Sequence, residues 1–225
     1  MDGIILSFLR IELWTSAIEA AVSLAIIFYS WKMYKTTASF SALALNLSFT
    51  MLLAADLIYG GTVLSTIVPP GVRTARQTAE ASLRVMYGYL IRIGLEIAAY
   101  LALGVVSIHS RRPQPLILTL AIGLGQIGVR PFIPLGELLV TAVLIFVCGI
   151  YAVNLYERRS PNSLLVFSAF LLITLSHGTL VPAPIPSFLY LTSHIFEIAG
   201  FLCFLASLLL SLYPRRGRRT VEPKD

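Results

Sequence analysis

The sequence predicts an all-α integral membrane protein with seven transmembrane helices, the N-terminus outside and the C-terminus inside. The chain is 57% hydrophobic and only 12% charged, whereas a soluble domain carries about 25% charged residues. Apolar runs of about 20 residues, the length that crosses a bilayer as a helix, recur along the chain. One of these runs also occurs twice, since residues 190–214 align without a gap on residues 89–113.

Seven segments are candidates for bilayer crossings, and their ends carry the glycine, proline, aromatic and basic residues that are typical of a membrane interface. Residues 115–130 are the weakest candidate because they are short and contain Gly123, Gly125 and Gly128. They are either a tilted span or a re-entrant segment. The six stronger candidates are residues 13–33, 38–59, 85–108, 135–156, 163–180 and 187–213.

Residues 62–84 form the longest connection between the predicted spans. They contain Pro69-Pro70-Gly71, followed by the polar run VRTARQTAEAS. This composition favours a solvated loop, and a short amphipathic helix over residues 74–84 is the alternative.

The distribution of basic residues decides whether residues 115–130 cross the membrane. If they cross, most basic residues fall on one side, and because basic residues favour the cytoplasm, the N-terminus lies outside and the C-terminus inside. A re-entrant segment would place the clusters after the fifth and last spans outside, so we reject it. The prediction is a multi-pass protein of the cell membrane. The richer side holds Lys32, Lys35, Arg111, Arg112, Arg158, Arg159, Arg215, Arg216, Arg218, Arg219 and Lys224, and the poorer side holds Arg10, Arg73, Arg76, Arg84 and Arg130.

An internal repeat of three helices explains the aligned segments. The alignment places Glu96 on Glu197, and a weaker one places Tyr34 on Tyr156. One helix between two such units gives both units the same direction, which is a known transporter architecture. We therefore predict a single transmembrane domain over residues 1–225 in a 3+1+3 arrangement. Its parts are a first repeat at 13–108, a linker helix at 115–130, a second repeat at 135–213 and a basic cytoplasmic tail at 214–225.

Seven polar residues inside the spans are the candidate site residues, since a charged side chain at the helix centre costs about 2.5–3.5 kcal/mol unless it is paired or hydrated. Arg92 and Glu96 are spaced i,i+4 and are predicted to form an ion pair on one helix face. Glu197 has no basic neighbour except His194, so it is the glutamate that we expect to exchange a proton. The candidates are Glu19, Asp56, Arg92, Glu96, His177, His194 and Glu197.

Two interpretations of the repeated glutamates stay open. In the first, Glu96 and Glu197 face a polar cavity between the repeats, and the protein is a transporter, a channel-like permease or the membrane subunit of a translocation complex. In the second, they are carboxyl groups that hydrogen-bond across helix interfaces and hold the helices together. Asp56 aligns with His177 to within one residue. A second symmetric polar pair is therefore expected nearer the outer side.

The alternative from another functional class is a structural or electron-transfer subunit. His177 and His194 are predicted at similar depth on consecutive spans, where they could ligate a b-type haem. No other cofactor and no metal is predicted. The motifs of hydrolases and phosphate-binding loops do not occur, so an enzyme is not expected. A retinal protein is excluded because the last predicted span contains no lysine.

The predicted partners also follow from composition. The lipid bilayer is the main partner, and a homo-oligomer or other membrane subunits are compatible with this prediction. The basic tail RRGRRTVEPKD can bind anionic lipid or a cytoplasmic protein. Because the net charge of +6 is concentrated in short clusters near the span ends, we do not predict direct nucleic-acid binding.

Overall fold

Six long helices make up the structure, a computed structural model that describes residues 2–67, 75–108, 133–181 and 187–212. Each of the six is long and apolar enough to cross a membrane. The protein is therefore an all-helical, membrane-embedded protein. The helices are α1 (Asp2–Thr37), α2 (Phe40–Ile67), α3 (Ala75–Ile108), α4 (Ile133–Arg158), α5 (Pro161–Leu180) and α6 (Ser187–Leu212).

Several helices extend beyond the apolar segments that predicted them. The prediction of a solvated loop over residues 62–84 is wrong at both ends, because α2 continues to Ile67 and α3 begins at Ala75. Arg76 and Glu80 form an i,i+4 ion pair at 3.0 Å in the first turns of α3, and such pairs support a helix outside the bilayer. The predicted span at residues 115–130 lies outside the described residues.

The helices form a ring in chain order. Each one packs against the next described helix, and the ring closes where α1 packs against α6. Large apolar side chains such as Trp14, Leu57 and Phe188 lie on the outer surface, as expected of a surface that lipid covers. Polar side chains are concentrated in the interior, so the ring is apolar outside and partly polar inside.

Helices α3 and α4 run in the same direction although they are consecutive in the structure. Tyr89 in the middle of α3 contacts Glu137 near the start of α4. Near the other end, the Tyr151 hydroxyl of α4 donates a hydrogen bond to the Leu103 carbonyl of α3 at 3.1 Å. The two helices therefore begin on one side of the bundle and end on the other.

Helices α1 and α6 also run in the same direction. Glu12 contacts Tyr190 early in both helices, and further along, Glu19 and Glu197 contact the same Arg92. The other neighbours are antiparallel, as their contacts show. The ring thus consists of two antiparallel three-helix units, α1–α3 and α4–α6, that meet along two parallel seams.

The links α1–α2 and α4–α5 adopt the same turn. Ala38 and Arg159 both have positive φ, 48° and 44°, and each closes its preceding helix in the left-handed conformation typical of a helix C-terminus. Their amides donate to Tyr34 O at 2.8 Å and to Leu155 O at 2.9 Å. Tyr34 and Leu155 thus accept the same hydrogen bond of the turn and are equivalent positions. The alignment that places Tyr34 on Tyr156 is therefore wrong by one residue.

Many buried positions of the first unit recur at matching positions in the second unit. On α1 and α4 the matching buried residues are Ser16, Glu19, Val22, Ser23 and Ile26, and Glu137, Val140, Val143, Leu144 and Val147. On α2 and α5 they are Ser48, Phe49, Leu52, Ala55 and Asp56, and Ala169, Phe170, Ile173, Ser176 and His177. On α3 and α6 they are Arg92, Ile93, Glu96, Ala99, Tyr100 and Leu103, and Ser193, His194, Glu197, Gly200, Phe201 and Phe204.

Candidate functional site

Arg92 of α3 lies inside the ring with several carboxyl groups around its guanidinium. It is 7% exposed. Its Nε donates to Glu96 Oε1 at 2.5 Å and its Nη2 donates to Glu197 Oε1 at 3.0 Å. Glu12 Oε2 and Glu19 Oε2 lie further away, at 3.6 Å and 3.8 Å from the guanidinium nitrogens. The planar guanidinium, with its five N–H donors, can serve several carboxylates at once.

We call this group of side chains the Arg92 cluster. It joins three helices of the first unit to one helix of the second unit. Its aromatic member on α2 is Tyr59, whose ring lies 5.1 Å from the centre of the guanidinium, a distance at which a cation is attracted to a ring face. The members of the cluster are Glu12, Glu19, Asp56, Tyr59, Arg92, Glu96, Tyr190, His194 and Glu197.

The α1 contribution follows from helical spacing. Glu12, Ser16, Glu19 and Ser23 occur every third or fourth residue, so they share one face of α1. Glu12 accepts a hydrogen bond from the Tyr190 hydroxyl at 2.6 Å. Glu12 was missed in the sequence because it precedes the predicted apolar span, although its spacing from Glu19 was the signal that could have identified it.

Glu197 has a different environment from the predicted one. The expectation that His194 is its only basic partner is wrong, because Arg92 donates to it. His194 Nδ1 is 3.6 Å from Glu197 Oε2, and its Nε2 is 3.8 Å from Glu12 Oε1. Arg92 lies on another helix, so the sequence neighbours of Glu197 could not reveal it.

Glu19 and Asp56 form a pair of acidic side chains within the cluster. They are 1% and 5% exposed. Within the described part of the chain, Glu19 Oε1 and Asp56 Oδ2 have no hydrogen-bond partner. Two acidic groups with unpartnered oxygens in a nearly dry environment therefore form part of the site.

His177 belongs to a separate contact group, which we call the Glu137 group (Tyr89, Glu137 and His177). Its Nδ1 is 2.7 Å from Glu137 Oε2, and the Tyr89 hydroxyl donates to Glu137 Oε1, also at 2.7 Å. Glu137 was missed in the sequence because it lies in the first turns of a predicted span, where a carboxylate can reach the interface. Asp56 and His177 occupy matching buried positions but bind different partners.

The two histidines proposed as haem ligands lie against different carboxylates. His177 contacts Glu137, whereas His194 lies beside Glu12 and Glu197. Among the described residues, no group of three or more His, Cys, Asp or Glu side chains is arranged to hold a metal ion. The geometry thus places both imidazoles in polar contacts with acidic side chains.

The Arg92 cluster contains more acidic than basic groups. Among the described residues, five carboxyl groups, from Glu12, Glu19, Asp56, Glu96 and Glu197, are accompanied by one guanidinium and one imidazole. An uncompensated charge inside a membrane protein is costly, and removing one partner of a buried pair costs about 3–5 kcal/mol. The described part of the cluster thus carries more acidic than basic groups.

An aromatic layer lies next to the Arg92 cluster along the axis of the ring. It consists of Phe49, Phe170, Phe201 and Phe204, from α2, α5 and α6. The ring centroid of Phe204 is 5.5 Å from that of Phe49 and 4.9 Å from that of Phe170, both in edge-to-face geometry. The layer is buried, so it is an apolar barrier next to the charged groups.

A cavity of about 210 Å³, here called the vestibule, lies on the other side of the aromatic layer. All six described helices line it, and Phe49 and Phe204 form its inner end. Ser41, Asn162 and Ser211 line the vestibule near the helix ends and are exposed. The vestibule opens at the end of the bundle where α1, α3, α4 and α6 terminate, the side predicted to be cytoplasmic.

No family model, curated protein or solved structure matches the chain. The fold and the site define the protein as a helical membrane protein with a polar interior.

Proposed function

We propose that the protein is a transporter or channel-like permease, or the membrane subunit of a translocation complex, and that its pathway follows the axis of the helix ring. The observation that carries this proposal is the Arg92 cluster, a set of buried charged groups inside a ring of apolar helices. Charged residues inside membrane proteins typically line substrate or ion pathways.

The composition of the cluster favours a pathway over a purely structural role. Buried ion pairs contribute little net stability, and well-packed apolar side chains often replace them without loss. Helices can also be joined by one or two hydrogen bonds between neutral side chains. Five carboxyl groups around one guanidinium exceed what packing requires, so we assign the cluster to the binding of a proton or another cation.

The vestibule and the aromatic layer supply the remainder of the proposed pathway. The vestibule would lead from one end of the bundle to Phe49 and Phe204, and the Arg92 cluster lies beyond them. Hydrophobic constrictions that exclude water are used as gates in channels. The aromatic layer is thus the proposed gate between the vestibule and the Arg92 cluster.

Three observations support the predicted internal repeat. The links α1–α2 and α4–α5 adopt the same turn, the buried positions recur at matching places, and the two three-helix units run in the same direction. A crossing at residues 115–130 would produce the common direction of α3 and α4, which therefore supports the proposal of seven crossings. A binding site between parallel repeats fits a transporter architecture.

Access of water to the cluster tests the proposal without knowledge of the substrate. The native cysteines, Cys148 and Cys203, are first replaced by Ser. A Ser207→Cys variant then reports on the vestibule and a Ser23→Cys variant on the interior, because Ser23 lies one turn from Glu19 and is fully buried. A membrane-impermeant maleimide is applied to sealed vesicles from each side.

We expect the Ser207→Cys variant to react quickly and the Ser23→Cys variant slowly. Adding Phe204→Ala should accelerate labelling at position 23, since it opens the aromatic layer. A Leu57→Cys variant is the control, because Leu57 is 62% exposed on the outer surface and should stay unlabelled in lipid. Complete protection at position 23, with and without Phe204→Ala, would contradict a pathway.

A further inference from the structure

His194 lies between two carboxylates that belong to different helices. Its Nε2 is 3.8 Å from Glu12 Oε1 of α1, and its Nδ1 is 3.6 Å from Glu197 Oε2 of its own helix, α6. Both distances exceed that of a direct N–H···O hydrogen bond, and neither ring nitrogen has a hydrogen-bond partner among the described residues. The side chain is only 4% exposed, so a buried imidazole faces one acidic group with each of its nitrogens.

Glu12 and Glu197 are bridged a second time, by Arg92. Its Nη1 is 3.6 Å from Glu12 Oε2, and its Nη2 donates to Glu197 Oε1 at 3.0 Å. Each carboxylate therefore has one oxygen toward the guanidinium and the other toward the imidazole. A guanidinium keeps its charge in proteins, whereas an imidazole is the side chain that ordinarily exchanges a proton near neutral pH. The two carboxylates thus share one permanent cation and one group that can gain or lose a proton.

The imidazole of His194 can serve both carboxylates only when it is doubly protonated. A neutral ring has one N–H donor and one bare nitrogen, whereas an imidazolium has two donors. With a neutral ring, one of the two carboxylates therefore faces a bare nitrogen lone pair, which repels an ionised oxygen. A shift of about 1 Å brings either contact to hydrogen-bonding distance. The arrangement is satisfied when one extra proton is held by the ring or by one of its two carboxyl neighbours.

Tyr190 fixes the positions of both Glu12 and His194. Its hydroxyl donates to Glu12 Oε1 at 2.6 Å, the same oxygen that faces His194 Nε2. Its ring packs edge-to-face against the imidazole, with the centroids 4.7 Å apart. The tyrosine thus holds the carboxylate and the imidazole next to each other across the seam between α1 and α6.

The titratable groups on the neighbouring helices have other partners. The titratable side chain of α5 is His177, whose Nδ1 is 2.7 Å from Glu137 Oε2. Three further members of the Arg92 cluster lie against the guanidinium, namely Glu19, Tyr59 and Glu96. A proton at the α1–α6 seam is thus exchanged most directly by the imidazole that bridges it.

Glu12 connects this bridge to one end of the bundle. Its side chain is 15% exposed, whereas that of Glu197 is 4% exposed. Glu12 also lies in the first third of α1, while the vestibule is lined by Ile26 and Met33 further along the same helix. The bridge therefore lies on the side of the Arg92 cluster that faces away from the vestibule.

We infer that His194 binds the exchangeable proton of the Arg92 cluster and passes it between Glu12 and Glu197. A protonated Glu12 gives its proton to Nε2, and the N–H bond at Nδ1 breaks as Glu197 Oε2 takes up that proton. One O–H bond breaks and another forms, and the ring ends in its other tautomer until the reverse transfer or a ring rotation restores the first. This inference rests on the proposed function only where it makes the proton the transported or coupling ion.

Nuclear magnetic resonance of the reconstituted protein with nitrogen-15-labelled histidine tests the inference, because a ring nitrogen with a proton is distinct from a bare one. The chain has three histidines, and His194→Gln identifies the His194 signals by their loss. We expect two ring protons on His194 at about pH 5 and one at about pH 10, outside the range in which an imidazole ordinarily titrates. The single proton should be distributed over both nitrogens.

Replacing either carboxylate should change this distribution in opposite directions. Glu12→Gln leaves Glu197 as the charged acceptor, so the single proton should favour Nδ1. Glu197→Gln leaves Glu12, so the proton should favour Nε2. His177 is the internal control in the same spectra, because it contacts Glu137 directly and should respond to neither substitution.

Two outcomes of this experiment would overturn the inference. The first is a wild-type His194 ring that keeps one protonation form and one tautomer through the whole pH series, a result that does not depend on whether the variants fold. The second is a ring whose proton distribution changes with neither Glu12→Gln nor Glu197→Gln, since its nitrogens would then exchange protons with other groups.

Flux measurements separate this inference from the proposed function. Vesicles that contain a pH-sensitive dye report proton uptake under an imposed membrane potential. His194→Gln should reduce the uptake rate about 100-fold, at the lower end of what a positioned proton-transfer group contributes. Glu80→Gln is the control, because Glu80 pairs with Arg76 on the surface of α3 and should leave the rate unchanged.

The two proposals fail in different ways. If His194 responds to pH and to both substitutions, but no proton enters wild-type vesicles and the interior is closed to thiol reagents, the proton-binding site stands and the transporter proposal falls. If wild-type vesicles take up protons and His194→Gln keeps the full rate, the role of His194 is wrong and the pathway stands.

Discussion

Arg92 connects four acidic side chains in the interior of the described helices. Its guanidinium lies within 4 Å of carboxyl oxygens from α1, α3 and α6. A lysine ammonium could not form the same set of contacts, because it is a point charge without the planar fork of arginine. The side chain therefore fixes the relative positions of three helices as well as their charges.

Replacing Arg92 should destabilise the protein more than replacing either of its close partners. Arg92→Leu leaves Glu96 without its guanidinium partner and Glu197 with only the His194 imidazole, and we expect a loss of about 3–5 kcal/mol in the free energy of unfolding. Glu96→Gln should cost less, since Glu197 still pairs with the guanidinium. Chemical denaturation in detergent measures both.

The combination of Arg92→Leu with Glu96→Gln and Glu197→Gln provides the control for that prediction. Replacing the stranded carboxylates should recover part of the lost stability, because the leucine and the two glutamines that take their places are neutral. Strictly additive losses would show that the three residues do not interact.

Tyr89 and Tyr190 make matching contacts, so their hydroxyl hydrogen bonds should contribute similar amounts to the free energy of unfolding. Tyr89 donates to Glu137 on α4, and Tyr190 donates to Glu12 on α1, at 2.7 Å and 2.6 Å. Tyr89→Phe and Tyr190→Phe each remove a hydrogen bond to an acidic group, so each should cost about 1.5–3 kcal/mol. Tyr156→Phe is the control, because Tyr156 is exposed. Equal stability of all three variants in denaturation would refute the assigned contacts.

At the level of elements, Gly200 permits the close approach of α5 and α6. A Cβ atom at this position would lie 2.6 Å from Ile173 Cγ1 and 3.0 Å from the Ala169 carbonyl oxygen. Because a backbone oxygen cannot move as easily as a side chain, Gly200→Ala should cost about 1–3 kcal/mol. Thermal unfolding in detergent should show a lower Tm.

Gly149→Ala is the matched control for Gly200→Ala. Gly149 lies within α4, and a Cβ atom there would meet nothing within 4 Å. Alanine is the better helix former by about 0.5–1 kcal/mol, so Tm should stay the same or rise. If both variants lose stability equally, helix propensity or lipid contact, and not the α5–α6 approach, controls the effect.

The existence of the six described helices could be predicted from the sequence, but their ends could not. Hydropathy identifies the part of a helix that lipid surrounds, and it carries no signal for residues such as Arg76 and Glu80 that continue a helix outside the bilayer. The prediction therefore stopped short at the C-terminal end of α2 and at the starts of α1 and α3. The turn after α1 also shows why weak alignments mislead, since tyrosines recur at membrane interfaces for reasons unrelated to a repeat.

The candidate site was predicted in part. The free-energy cost of placing charged side chains in the bilayer identified the polar residues in the spans. The i,i+4 spacing of Arg92 and Glu96 predicted their ion pair. The partners across helix interfaces could not be predicted, because hydropathy does not say which helices are neighbours. Glu12, Glu137 and the tyrosines were missed for this reason, and the second partner of Arg92 was missed as well.

For the whole molecule, the predicted topology can be tested with reporter fusions. A reporter fused after Arg219 should report the cytoplasm and one fused near Gly71 the exterior, because the basic clusters alternate with the crossings. An outcome with both reporters on the same side would contradict the seven-crossing topology. It would also remove the support that the common direction of α3 and α4 gives to a transporter.

The contact between Glu12 and Tyr190 joins residues that are 178 positions apart in the chain, and this separation has a consequence for biosynthesis. The helix that carries Glu12 and Glu19 leaves the ribosome before the helices that carry Arg92 and Tyr190. Until then these acidic groups have neither partner, at about 2.5–3.5 kcal/mol for each charge held at the centre of a lipid-exposed helix. Newly inserted α1 is thus held in the bilayer by its apolar face alone. Its acidic side chains are protonated or shielded by the insertion machinery until then, and the ring closes only when α6 is inserted.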